Sequence, residues 1–193
     1  MDVGAILLIC IVIFLVVLVL GVLFVIGLYN GIQKLVVLVD EAWSGIDVQL
    51  KKRFDLIPNL VETVKGYATH ENATFEKIAE LRSGMMGTKS PEELGKMEGE
   101  LRATLKTLFA VAESYPELKA NENFLKLQDS LQEIENELEG ARRYYNGAVR
   151  DLNTKIIVFP NNVVAGFLGL KKREFFEVAD AAERENVKVD FSA

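Results

Sequence analysis

The sequence holds one cysteine, one histidine and four prolines in 193 residues. A single cysteine excludes a disulfide framework within the chain, and no cysteine–histidine spacing typical of a zinc site is present. The histidine, His70, precedes a glutamate but lacks the second histidine of an H-E-x-x-H motif, so we expect a solvated helix residue. Glycine-rich phosphate loops are also missing. These absences predict a protein that is not an enzyme, with no cofactor, metal or small-molecule substrate.

Charged residues are missing from the first part of the chain. No Asp, Glu, Lys or Arg lies between Val3 and Gln33, and all 22 Lys and Arg lie from Lys34 onward. The chain as a whole is acidic, with a net charge of −6. Binding to nucleic acid requires a basic surface, so this charge balance disfavours a nucleic-acid partner. The mean hydropathy of +0.17 indicates an apolar segment joined to a charged, soluble body.

The apolar segment from Val3 to Leu28 has 26 residues. As a helix it would be about 39 Å long, enough to cross a hydrocarbon core of about 30 Å. The alternative, a cleaved signal peptide, has a basic start, a shorter apolar core and an A-x-A-like site, and the sequence shows none of these. We therefore predict a membrane anchor over residues 1–28, with the lipid bilayer as a partner. Lys34 and then Lys51–Arg53 follow it, and the positive-inside rule favours a cytoplasmic body.

The body is predicted to be helical because its apolar residues recur at alternating steps of three and four. Between positions 36 and 81, eleven of fourteen such positions are apolar. The repeat passes through Pro58 without a change of phase, so we predict one long helix over 29–82 that kinks at this proline; a hinge is the alternative. Arg53 occupies one of the fourteen positions. It is expected either at the edge of the seam with its head in water, or in a buried pair with an acid of another helix.

Two further long helices are predicted over 91–115 and 121–157. Ser90 followed by Pro91 is typical of a helix start, and Asn121 or Asn123 is expected to cap the next helix. Between positions 124 and 152, all nine positions at alternating steps of three and four are apolar. Strict repeats of this kind favour left-handed packing against neighbouring helices, and short connections favour antiparallel neighbours.

The C-terminal part is predicted to contain short helices over about 162–168 and 173–184, before an extended tail at 187–191. Asn161 or Asn162 is expected to cap the first of them, and Gly169 to end it. The predicted fold is therefore all-α: a transmembrane helix that continues into an antiparallel helical bundle domain over 29–193.

Two apolar groups are candidate assembly or interfacial contacts. The first, the collar, is a run of five residues just beyond Lys34: Leu35, Val36, Val37, Leu38 and Val39. A helix presents such a run on all sides, so the collar lies either in the lipid headgroup region or against neighbouring chains. Trp43 follows it, as a core residue or as an anchor between subunits.

The second group, the C-terminal cluster, consists of Val163, Val164, Phe167, Leu168 and Leu170. One interpretation is that it closes an end of the bundle. The other is that it lies on the bilayer or on another subunit, with Lys171–Arg173 directed toward anionic lipid.

Several segments resemble the LemA family. Residues 40–50 (DEAWSGIDVQL) and 55–61 (DLIPNLV) are similar to its N-terminal signature. Its C-terminal half is matched by residues 123–131 (NFLKLQDSL), 141–146 (ARRYYN), 159–166 (FPNNVVAG) and 186–191 (NVKVDF). The resemblance implies a bacterial inner-membrane protein with one N-terminal anchor and a helical bundle. It also implies relatives associated with membrane organisation, including magnetosome formation, and it supplies no catalytic residues.

Two functions fit these features. The first is a non-enzymatic, membrane-anchored scaffold that forms homo-oligomers at the bacterial inner membrane and organises or shapes it. The second is a monomeric adaptor or sensor that binds a partner protein through the helical bundle.

Overall fold

The computed structural model describes residues 3–68, 71–88 and 90–177. They form the helices α1 (Val3–Lys65), α2 (Asn72–Gly87), α3 (Pro91–Glu113), α4 (Pro116–Lys119), α5 (Glu122–Ile157) and α6 (Asn161–Phe167). These described residues contain no strand, and the all-α class and the helical bundle are confirmed. His70, residues 178–184 of the last predicted helix and the predicted extended tail at 187–191 lie outside the described residues.

Helix α1 continues without interruption from the apolar segment through Pro58 to Lys65. The predicted single helix over 29–82 is wrong beyond that point, because a turn separates α1 from α2. Gly66 lies in this turn, where the amides of Tyr67 and Ala68 both donate to the Val64 carbonyl. The apolar repeat had concealed the break because the buried residues of α2 resume in the same phase. The kink at Pro58 stays a prediction.

Contacts within the chain group the residues into two compact units. One unit takes in α1 up to Ala42 together with Gly147–Arg173, and the other takes in Trp43–Asn146 and the segment that begins at Glu174. Both α1 and α5 therefore contribute residues to each unit. The predicted division into an anchor at 1–28 and a bundle domain at 29–193 stays a prediction.

Side-chain hydrogen bonds cap two helices at positions that the sequence predicted. The hydroxyl of Ser90 accepts from the amide of Glu93 at 3.4 Å, and Pro91 is the first residue of α3. The side-chain oxygen of Asn121 accepts from the amides of Asn123 and Phe124 at 2.9 and 3.1 Å, so Asn121 is the cap of α5. Each of these side-chain oxygens accepts from helix amides that have no partner within their own helix.

Gly169 terminates helix α6, as predicted. Its φ of +63° lies in the left-handed region. The amide of Leu170 donates to the Ala165 carbonyl and that of Gly169 to the Gly166 carbonyl. This pair of bonds is the Schellman arrangement, in which glycine carries the backbone around the end of a helix. The predicted start is wrong, because α6 begins at Asn161 and no side chain caps it. The side chain of Asn161 is buried instead.

Candidate functional site

The most unusual group in the bundle is a buried ionic network around Arg53. The Arg53 side chain is 0% exposed, and its Nη1 donates to Oε1 of Glu98, which is also 0% exposed. Its Nη2 lies 2.5 Å from Oε1 of Glu135, whose second oxygen lies 3.6 Å from Nη2 of Arg102. Of the two interpretations of Arg53, the structure supports the buried pair with an acid of another helix. Removing charges from water is costly, so each buried member of the network depends on its partners.

Glu98 is the residue that the sequence pattern missed. The buried residues of α3 are Leu94, Gly95, Glu98, Leu101, Leu105, Leu108 and Ala112. A glutamate in a buried row contradicts a purely apolar pattern. The signal was nevertheless present, because Arg53 interrupts the seam of α1 and a buried arginine requires a buried acid.

Arg142 on α5 adds a second buried cation to this part of the bundle. It is 7% exposed, and its Cζ lies 5.9 Å from the centre of the Phe176 ring, within range of a cation–π contact. Burial lowers the pKa of Arg142, and the negative charge of Glu98 opposes that shift. The guanidinium therefore depends on the surrounding carboxylates for its stability inside the bundle.

A surface cleft of about 330 Å³ borders the ionic network. Helices α3 and α5 form its walls, and the cleft exposes both signs of charge through Arg102, Lys106, Glu135 and Glu139 beside three side-chain amides. Mixed charge of this kind is suited to polar contacts with another macromolecule, because it offers donors and acceptors together.

Two asparagines of α5 hold the C-terminal segment, residues 171–177, in an extended form. Asn153 pairs with both backbone groups of Arg173, at 2.8 and 2.9 Å. Within the other unit, Asn146 does the same with Phe176, at 2.8 and 3.0 Å. These side-chain amides replace the hydrogen bonds that a helix would make. The predicted helix over 173–184 is therefore wrong for residues 173–177.

Phe176 is buried in an aromatic group with Trp43 and Tyr145. The rings of Trp43 and Tyr145 are 5.2 Å apart edge to face, and those of Trp43 and Phe176 are 6.3 Å apart. Phe176 is 2% exposed. Such contacts stabilise a core beyond simple burial. The structure places Trp43, half-buried, in intramolecular packing; its role between subunits stays a hypothesis.

The collar residues have unequal exposure in the structure. Val39 is 2% exposed and Val37 is 63% exposed, while Leu35, Val36 and Leu38 are half-buried. The buried Ile32, at 0% exposure, marks where packing around α1 begins. Val37 is therefore the collar residue with the greatest area available for contact with another molecule.

The C-terminal cluster is largely uncovered. Phe167 is 89% exposed, Val163 is 50% exposed and Leu168 is 40% exposed, whereas Val164 and Leu170 are half-buried. Ala165, between them, is buried at 3% exposure and provides the packing face of α6. Three of the five residues of the cluster are thus exposed, and both interpretations of the cluster stay predictions.

Within the described part of the chain, no group of three or more His, Cys, Asp or Glu side chains could hold a metal ion. One helix there is long and apolar enough to cross a membrane, and it lies near the N-terminus. Its apolar side chains from Ile6 to Ile26 are exposed. The fold and these features define a class: a helical-bundle protein with one candidate membrane anchor.

The chain belongs to the LemA family, whose model matches residues 42–191. It is 32% identical to the protein LemA of Metamycoplasma hominis, in a match that covers 80% of this chain and 69% of that relative. It is 25% identical to the magnetosome protein MamQ 2 of Paramagnetospirillum magneticum, across 72% of this chain and 61% of the relative. The magnetosome protein MamQ of Magnetospirillum gryphiswaldense is 22% identical over the same shares. The chain thus spans less than two thirds of the length of these MamQ relatives.

Proposed function

We propose that this protein is a non-enzymatic, membrane-anchored helical scaffold that self-associates at the bacterial inner membrane and organises it. The observation that carries the proposal is the surface of α1. The apolar part of α1 is long enough to cross a bilayer. Val37 lies on the same helix beyond the end of this apolar part, and its side chain is 63% exposed. Burying such a side chain against a second copy removes apolar area from water at the membrane surface. The relatives named as magnetosome proteins support a role in organising a membrane.

Cysteine cross-linking of the full chain in native membranes tests the self-association. Cys10→Ser removes the single cysteine of the chain, and Val37→Cys then places one thiol in the collar. A bifunctional thiol reagent is expected to yield cross-linked dimers, because one thiol per chain can be joined to one other chain. Ala103→Cys, at an exposed position of α3, is the matched control and is expected to stay monomeric. Monomers at both positions, together with a monomeric mass in detergent, would contradict the scaffold.

The cleft beside the ionic network favours a second candidate function. A monomeric adaptor or sensor could use the mixed charges of Arg102, Lys106 and Glu139 to bind a partner protein. The same cross-linking experiment separates the two functions, because one foreign protein joined to the chain favours the adaptor and a cross-linked dimer of the chain favours the scaffold.

A further inference from the structure

Six large apolar side chains in α6 and beside it are exposed. The α6 patch consists of Ile157, Val158, Phe159, Val163, Phe167 and Leu168, which are 54%, 50%, 77%, 50%, 89% and 40% exposed. Apolar groups exposed together in this way mark sites of contact with other proteins or with membranes. Helix α6 is itself fixed in place, since Ala165 and Asn161 are buried.

The α6 patch lies close to the apolar segment of α1, and this position indicates that the patch contacts lipid. A Cβ at Gly31 would lie 3.9 Å from Cε of Lys155, so the end of α5 touches α1 at Gly31. Gly31 is three residues past Leu28, or about 4.5 Å along the helix axis. Two residues before Lys155, Asn153 holds the backbone of Arg173, whose side chain pairs with Asp40 at 3.4 Å. The last turn of α5 thus runs toward the apolar segment, and α6 follows it.

The charge of this region fits an anionic lipid surface. Residues 155–173 contain four cations and no acid, although the chain as a whole has a net charge of −6. Arg173 is paired with Asp40, while Lys171 and Lys172 are exposed directly after the patch. Exposed aromatic and aliphatic side chains beside lysines are the combination that lies in the headgroup region of a bilayer with anionic lipids.

We propose that the α6 patch is a second membrane contact, which lies in the headgroup region of an anionic leaflet with Lys171 and Lys172 against lipid phosphates. The proposal rests on the membrane anchoring in the proposed function. It adds a contact with the bilayer through α6 to the one that the apolar segment of α1 makes.

Spin labels on the full-length chain in vesicles of phosphatidylcholine and phosphatidylglycerol test the contact. Three variants in the Cys10→Ser background carry the label: Phe167→Cys in the patch, Leu15→Cys in the apolar segment and Ala103→Cys on the exposed face of α3. At each position, the collision rate of the label with oxygen, which is more soluble in lipid than in water, is compared with its collision rate with a water-soluble nickel complex. We expect position 167 to favour oxygen, less strongly than position 15, and position 103 to favour nickel.

Three other outcomes contradict the proposal, and the last of them also contradicts the membrane part of the proposed function. If position 167 favours nickel as position 103 does, the patch lies in water and the proposal is wrong. If position 167 is shielded from both reagents, a protein surface covers the patch, and the lipid contact is again wrong. If position 15 also favours nickel, the anchor itself is not inserted, and the membrane part of the proposed function fails together with this proposal.

Charge reversal tests the role of the lysines. With Lys171→Glu and Lys172→Glu, the preference for oxygen at position 167 is expected to fall toward that of position 103 in vesicles with phosphatidylglycerol, because repulsion replaces attraction. Lys119→Glu with Lys126→Glu, at exposed positions in the other unit, makes the same change of net charge and is expected to leave position 167 unchanged. An equal loss from both pairs would contradict a local contact of the lysines with lipid.

Discussion

At the scale of single residues, the Arg53–Glu98 pair depends on both partners because neither has access to water. Arg53→Met leaves the Glu98 carboxylate buried with its main cation gone, and we expect the free energy of unfolding to fall by about 3–5 kcal/mol. Arg53→Met combined with Glu98→Leu removes both charges and is expected to recover only part of that loss, because Glu135 keeps Arg102 as a partner whereas Arg142 loses the carboxylate of Glu98. Urea unfolding of the full chain in detergent measures both changes.

Lys52 provides the control for the buried pair. Its ammonium lies 3.2 Å from Glu137, but the two side chains are 52% and 44% exposed. Lys52→Met is expected to change the free energy of unfolding by at most about 1 kcal/mol, because water screens the pair. Equal effects of Lys52→Met and Arg53→Met would show that burial of the charge does not determine the loss in free energy of unfolding.

Pro58 creates a second dependence between distant residues. The Phe54 carbonyl would accept the amide of residue 58 in a regular helix, but proline has no amide hydrogen. Nε of Arg82, on α2, donates to this carbonyl at 3.0 Å instead. We expect Arg82→Met to lower the free energy of unfolding by about 1–3 kcal/mol, the cost of an unpaired and partly buried carbonyl.

A double-mutant cycle separates this hydrogen bond from other effects of Arg82. Pro58→Ala restores an amide at position 58, so Arg82→Met is expected to cost less in that background than in the native chain. The difference between the two costs measures the coupling. Strictly additive effects would mean that Arg82 does not compensate for the proline.

At the scale of whole elements, Gly95 on α3 allows the backbone of the C-terminal segment to approach. A Cβ at this position would lie 2.0 Å from the Glu177 carbonyl oxygen. Alanine favours helix over glycine by about 1 kcal/mol, but the clash requires the segment to move away. We therefore expect Gly95→Ala to lower the melting temperature and to speed hydrogen exchange at the Phe176 amide, which donates to Asn146.

Gly140→Ala is the matched control for that substitution. Gly140 lies within α5, and a Cβ there would meet nothing within 4 Å. Only the helix preference then remains, so we expect the free energy of unfolding to rise by about 0.5–1 kcal/mol. A stabilising effect at both glycines would show that the C-terminal segment does not pack against α3.

The sequence predicts helices well where one face is purely apolar. The row on α5 from Phe124 to Leu152 is buried or half-buried at all nine positions, as the repeat indicated. The burial of Glu98 on α3 was missed, because its partner Arg53 lies on another helix and the local pattern of α3 does not record it. The prediction failed for residues 173–177, where Asn146 and Asn153 supply hydrogen bonds that only the folded chain brings into place. The missing information is tertiary in each case.

At the scale of the molecule, the charges follow the division between membrane and body. No charge lies between Val3 and Gln33, yet residues 155–173 contain four cations and no acid. The contacts of Lys155 with Gly31 and of Arg173 with Asp40 bring this basic stretch beside α1, shortly after the apolar segment. The folded chain therefore has more positive charge near the body end of the apolar segment than Lys34 alone supplies.

This distribution favours a body on the cytoplasmic side. The positive-inside rule places Lys and Arg near the ends of a membrane segment in the cytoplasm, and Lys34 and Lys155 lie near the body end of the apolar segment. We expect a protease to spare a C-terminal tag in intact spheroplasts and to remove it in inverted inner-membrane vesicles. Removal in spheroplasts alone would place the body outside.

A variant that reverses the charge difference across the segment tests the role of these charges. Asp2→Lys with Val3→Lys and Lys34→Gln is expected to shift part of the population to the opposite orientation, as measured by the same protease experiment.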